Sequence, residues 1–321
     1  MRIVFFGTPD YVLPILETVH RKFSRHGVSP IAAVVTQPPR PSGRKQLKQF
    51  SAVDSWAFKK KLPIYHSAQE YLNSGTPADV GVLAAYGEII PEFVINNFEF
   101  GILNVHPSLL PKWRGASPIQ AALISGEKVT GATIIKLDQK VDHGPILSQF
   151  KEDVLDNDTT GILRERLFAR SAEVLAQLLE SYLKKKITPS EQAHAEATFT
   201  SQIKKGDAFI PPEYLDAAIR AQSLEVSWEI GFIKDLSLIP SPLSLDRFVR
   251  AMDPWPVSWT KIMLNGQRSM VKRLKIMKAH LEDLSINHQS LAIDLVQLEG
   301  KGPVSWKQFK EAYPSATFAE E

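Results

Sequence analysis

Apolar residues come in short unbroken blocks through the first half of the chain. Arg2 to Phe6, Ile31 to Val35, the segment from Asp79 to Gly87, Gly101 to His106 and Ala132 to Leu137 have the length and density of strands buried on both faces. Helical patterns alternate with them. Gly7-Thr8-Pro9-Asp10 leads into a helix through Ile15 and Val19. Ser117-Pro118 opens another, with Ser as N-cap and Pro at the first helical position, and Gly126 stops it. Asp158 to Lys186 predicts a long amphipathic helix, with Leu163, Leu167, Val174 and Leu178 on one face and three lysines at its negative end. Strand and helix in alternation predict an α/β fold with a mostly parallel sheet.

The second half changes pattern. The polar run from Pro189 to Thr200 breaks the periodicity. Ser258 to Met263, Met270 to Met277, Leu281 to Ile286 and Leu291 to Leu295 read as short strands, with Gly266 in the first hairpin. They suit a small barrel of the oligonucleotide-binding (OB) type. Two domains follow: residues 1–188, a linker over 189–207, and a carboxyl-terminal domain over 208–321. Pro211-Pro212, Ser227-Trp228-Glu229 and Pro240-Ser241-Pro242 suggest an insertion of irregular structure near 210–245.

Composition narrows the classes. Hydrophobic residues make up 44% of the 321 positions, enough for two cores. The chain has no cysteine, which excludes disulfides, thiolate catalysis and cysteine-based zinc sites. The opening MRIVFFGTPD has too short an apolar run for a signal peptide, and no run reaches membrane-spanning length. A cytoplasmic monomer that needs no metal is expected. The net charge of +3 is nearly neutral, so contact with nucleic acid would have to come from local patches. Gly7-Thr8-Pro9 lacks the glycine spacing of a dinucleotide site.

Candidate chemistry concentrates between Ile102 and Gly144. An apolar run that stops at Asn104 and His106 suits the carboxyl end of a strand, where open α/β sheets place their ligands. Pro107-Ser108-Leu109-Leu110-Pro111 cannot be helix, and reads as a rigid loop over that end. The following strand delivers Asp138 and Asp142 to a Gly-containing turn, so Asn104, His106 and Asp142 can converge at neighbouring strand ends. Such a set suits transfer of an acyl-like group to an amine. Asn donates to a developing oxyanion, His handles a proton near neutrality, and the carboxylate orients the His and takes the proton of the amine. Taken singly, a strand-end His is more often structural, and an Asp before a turn Gly more often a turn former.

The order Asn-Val-His, Ser-Leu-Leu-Pro, Arg-Gly, Asp-His-Gly resembles the folate-dependent formyltransferases. The resemblance implies a Rossmann-like formyltransferase domain followed by an OB-like domain. It implies 10-formyltetrahydrofolate as formyl donor, and Asn104, His106 and Asp142 as catalytic residues. It implies a folate slot along Ser108, Leu109, Leu110 and Pro111, with Tyr86, Gly87 and Asp138 beside it. Tyr86 read alone is equally well a core aromatic. Pro107 stands where many members have Gly, and relatives acting on small substrates also carry Pro there.

Thr36 to Lys48 is rich in Pro, Gly and Ser and holds Arg40, Arg44, Lys45 and Lys48 without one acid. Read alone it is a solvated loop or a phosphate-gripping arm. It resembles the basic loop of the branch of the family that formylates initiator methionyl-tRNA, and Arg40 falls on that loop's Arg. Arg250-Ala251-Met252-Asp253-Pro254-Trp255-Pro256 and Glu299 to Trp306 extend the same likeness to nearly the whole chain. Lys261, Arg268, Lys272, Arg273, Lys275 and Lys278 crowd one interval, and alternation puts Lys272 and Arg273 on opposite faces. They read as a cationic track for an RNA backbone, or as an exposed, solubilising sheet. The competing readings are a sugar-nucleotide or other small-amine formyltransferase on the same core, and a non-catalytic tRNA-binding protein.

Overall fold

The computed structural model describes residues 1–42, 47–264, 271–285 and 288–319. Backbone packing divides the chain into two units. The first is built from Met1–Arg114, Thr130–Glu152 and Arg164–Ala197, the second from Gly115–Val129, Asp153–Leu163 and Thr198–Glu321. Of the expected linker, residues up to Ala197 group with the first unit and those from Thr198 with the second.

Seven strands form the sheet of the first unit: β1 (Ile3–Gly7), β2 (Ile31–Val35), β3 (Ile64–Tyr65), β4 (Val80–Ala84), β5 (Ile102–His106), β6 (Val129–Lys136) and β7 (Ile146–Asp153). Their order is β7-β6-β5-β4-β1-β2-β3. The pairs from β3 to β5 are parallel, and β6 runs antiparallel to β5. The strand order reverses between β1 and β4, the switch point where doubly wound sheets open a crevice. Alternation sends Ile3, Phe5, Leu103 and Val105 to one core cluster and Val4, Phe6 and Ile102 to the other, so helices cover both faces. That double burial is why the strands read as unbroken apolar runs. The long amphipathic helix spans Thr160–Leu183.

In the second unit, β8 (Ser258–Met263), β9 (Val271–Ser285), β10 (His288–Leu298), β11 (Pro303–Ser305) and β12 (Thr317–Phe318) pair antiparallel in the order β11-β10-β9-β8-β12. This sheet is the small β domain the sequence predicts, with one difference. The two short strands expected at 270–277 and 281–286 form one strand, β9. Its register shifts between Ile276 and Ala279, and the buried positions move from Leu274 and Ile276 to Ala279. The irregularity takes up three residues on each strand and swaps which parity faces inward, so a continuous strand looks broken in the sequence. Gly266, Arg268 and Ile286 lie outside the described residues.

Two local expectations are corrected. Pro211-Pro212 begins a regular helix, Pro212–Ile219, because a proline at the first helical position donates no hydrogen bond that would be missed. A second helix, Pro242–Ala251, starts from a capping box at Ser241, and between the two helices the chain is irregular apart from the short strands Trp228–Glu229 and Ser237–Leu238. Ser117 precedes its helix, Pro118–Ile124, but does not cap it: its hydroxyl donates to the Ser201 carbonyl at 2.7 Å. Among the described residues, no helix is long and apolar enough to cross a membrane.

Candidate active site

Asn104 and His106 stand two residues apart on β5, so both side chains share the face of Ile102. They are 6% and 4% exposed. The expected meeting of neighbouring strand ends takes a different form. Leu103 pairs with Lys136 and His106 with Thr133, so antiparallel β6 leaves the sheet level with the start of β5. The loop after it must turn back along β5 to bring Asp142 to the polar pair. Asp142 reaches that position with φ +49°, a left-handed conformation that a non-glycine residue seldom adopts. Trp113 (φ +59°) and Ala85 (φ +46°) share it. Such backbone persists only where the surrounding structure imposes it.

The three side chains form one connected group. Asn104 Nδ2 donates to Asp142 Oδ1 at 3.0 Å, and His106 Nδ1 lies 3.4 Å from Asp142 Oδ2. The carboxylate only accepts, which fixes the Asn104 amide orientation and leaves a second Nδ2 hydrogen to offer. On its other side His106 Nε2 lies 2.9 Å from the Trp113 carbonyl oxygen. That oxygen also only accepts, so Nε2 carries a hydrogen.

The Ser108–Pro111 loop is tied internally. Ser108 Oγ donates to the Lys112 carbonyl at 2.6 Å. Thr133 Oγ1 donates to the Ser108 carbonyl at 2.6 Å and accepts from the Leu110 amide at 3.1 Å. Gln149 Nε2 donates to the Leu110 carbonyl at 3.0 Å. Ser108 and Leu110 are buried, while Leu109 and Pro111 are half-buried. The loop thus offers a rigid shape in place of a displayed hydroxyl. Asp138 takes part in its own loop, with Oδ1 accepting from the Lys140 amide and Oδ2 lying 2.7 Å from His143 Nδ1.

Tyr86 is 1% exposed and its ring meets Phe6 edge-on at 5.8 Å, so its side chain is a core aromatic. Burial, with Glu88 adding to it, pushes its phenol well above the usual range. The neighbouring backbone stays open. Gly87 has φ +91°, and a side chain built there would meet, among the described residues, only Gln37 Nε2, at 3.9 Å. Gln37 Nε2 is buried and lacks a hydrogen-bond partner among the described residues. An unmet buried donor beside open backbone suits a polar ligand atom. Reading the sequence missed Gln37, because a Gln before a proline-rich loop has no distinct signature.

Arg40 extends from this point. Its Nη2 donates to Gln37 Oε1 at 3.0 Å. The basic loop is a ribbon in which Arg40–Ser42 pairs with Leu47–Gln49, leaving Arg40, Lys48 and Phe50 exposed. Arg44 and Lys45 lie outside the described residues. In the second unit Lys272 and Arg273 are both exposed, and the Arg273 guanidinium stacks over Trp259 at 4.1 Å.

A formyl transferase family profile matches residues 1–179. A methionyl-tRNA formyltransferase of Methylococcus capsulatus is 33% identical over 98% of both chains. Another, from Chloroflexus aggregans, is 36% identical over 81% of this chain and 76% of its own. Among solved structures, the methionyl-tRNA formyltransferase from Clostridium thermocellum superposes with a TM-score of 0.56 at 17% identity, covering 94% of this chain and all (100%) of its own. An N-formyltransferase from Helicobacter canadensis gives 0.61 at 13%, covering 91% and 98%. At those identities the structures speak for the fold alone. The sequence relatives carry the assignment: the chain belongs to the formyl transferase family, among its methionyl-tRNA formyltransferases.

Proposed function

We propose that the protein transfers the formyl group of 10-formyltetrahydrofolate to the α-amine of initiator methionyl-tRNA. The observation that carries this reading is the joined group of Asn104 and His106, on β5 of a formyl transferase sheet, with Asp142 from the loop after β6. The donor would lie along Ser108–Pro111 and the backbone of Gly87, beside the unmet amide hydrogens of Gln37. As the amine attacks, negative charge grows on the formyl oxygen. Asn104 Nδ2 and His106 Nε2 donate to it. His106 Nε2 turns from the neutral Trp113 carbonyl to the charged oxygen, the stronger acceptor. Asp142 holds His106 and takes the amine proton, directly or through water; as the tetrahedral intermediate collapses, the bond from the formyl carbon to N10 breaks and that proton passes to N10 of the departing tetrahydrofolate.

The basic ribbon supports a nucleic-acid acceptor over a small amine. Arg40→Ala is expected to raise KM for charged tRNA by about tenfold, the cost of one charge-assisted contact, while folate binding stays unchanged. Unaltered tRNA kinetics would return the ribbon to a solvated surface. The test of the whole reading is a transfer assay with purified protein, 10-formyltetrahydrofolate and three acceptors: charged initiator methionyl-tRNA, charged elongator methionyl-tRNA and a panel of small amines. Selective formylation of the initiator species is the expected result. Transfer to a small amine alone would overturn it.

A further inference from the structure

Gln192 lies in the polar run that the sequence marks only as a linker. Its side chain is 5% exposed, and its hydrogen-bonding capacity is fully engaged. Nε2 donates to the backbone carbonyls of Asp142 at 3.0 Å and Gly144 at 2.7 Å. Oε1 accepts from Arg114 Nε at 3.2 Å and Nη2 at 2.7 Å. A guanidinium only donates and a carbonyl only accepts, so this amide has one orientation.

The contacts continue beyond Gln192. Arg114 is buried, and desolvation draws its guanidinium below the ordinary value while Asp142 and Asp138 oppose the fall. Its Nη2 also meets His194 Nδ1 at 2.8 Å. Lost hydration, then His143 and Arg114, hold His194 below the usual imidazole range, which suits a neutral ring accepting that hydrogen. The His194 ring stacks on His143 with centroids 4.0 Å apart, and His143 reaches Asp138. The turn over 138–144 is thus held at both ends, and Gln192 grips the end that carries Asp142.

We propose that Gln192 is a positioning residue for the reaction: it fixes the strained Asp142 backbone so that the carboxylate faces Asn104 and His106. This rests on Asp142 being catalytic. Gln192→Glu keeps the size of the side chain and its contact with Arg114, but sets a carboxylate oxygen against two carbonyl oxygens. Displacing a reacting group by about 1 Å can cost on the order of a hundredfold in rate.

The experiment is a double-mutant cycle of Gln192→Glu with Asp142→Asn, read by single-turnover formyl transfer. In the wild-type background Gln192→Glu is expected to lower the rate about tenfold to a hundredfold, with KM for charged tRNA held within about twofold. In the Asp142→Asn background it is expected to add no further loss, since groups acting as a unit are not additive. Should Gln192→Glu fold poorly, Gln192→Ala goes through the same cycle. A rate close to wild type for the Gln192 variant, or an equal loss in both backgrounds, overturns the proposal while leaving Asp142 in place. Full turnover by Asp142→Asn alone overturns the Asp142 assignment, and the proposal with it.

Discussion

His106→Ala and Asp142→Asn should each lose about a hundredfold or more of turnover on charged initiator tRNA, with the fold intact. The size follows from what each variant removes. His106 supplies the Nε2 hydrogen now resting on the Trp113 carbonyl, and in the proposed reaction it is one of two donors to the developing charge. Removing a single such donor costs on the order of a hundredfold to a thousandfold. Asp142 fixes both partners at once, through Oδ1 to Asn104 and Oδ2 to His106. An amide at position 142 keeps the size of the carboxylate but loses the negative charge and the capacity to take a proton. Both side chains are buried, so the melts of the variants are read beside turnover to separate lost chemistry from lost stability. Turnover within about threefold of the parent in either variant would contradict the assignment of that residue.

The second large effect is expected from Gly144→Ala. A Cβ at Gly144 would overlap the Lys136 carbonyl oxygen, which is backbone and cannot swing aside. The turn would have to open where Gln192 holds the Gly144 carbonyl. Forcing one carbon into such a site typically costs about 1–3 kcal/mol, and the displaced Asp142 should lose about a hundredfold of turnover as well. Gly302→Ala is the control, because among the described residues nothing lies within 4 Å of a Cβ there. Equal melts and equal turnover for the two variants would show that the turn tolerates the shift.

The meeting of Asn104, His106 and Asp142 was legible in the sequence because its signals are local. Asn104 and His106 alternate on one strand, two prolines rule out helix after it, and the Asp142 turn carries its own glycine. Direction was not legible. Nothing in residues 129–136 says that this strand pairs antiparallel with β5, since a strand buried on both faces looks the same either way. The folate-slot reading of Tyr86 divides: its ring belongs to the core, and only the backbone beside it stays open. Gln192 was invisible for a related reason. Its role depends on three partners, Arg114 among them, that lie 48 to 78 residues away. A polar residue in a polar run shows its burial only in three dimensions.

The distance between Asp142 and the amide that grips it has a consequence for biosynthesis. Fifty residues separate them. At about 5–20 residues per second a ribosome needs several seconds to make that stretch. During that interval the nascent chain already carries Asn104, His106 and Asp142, but not the side chain that holds their turn. The turn that carries Asp142 therefore gains this contact late, once Gln192 has emerged. A fragment cut just after the long helix would keep Asn104, His106 and Asp142 and lack the amide that ties down their turn.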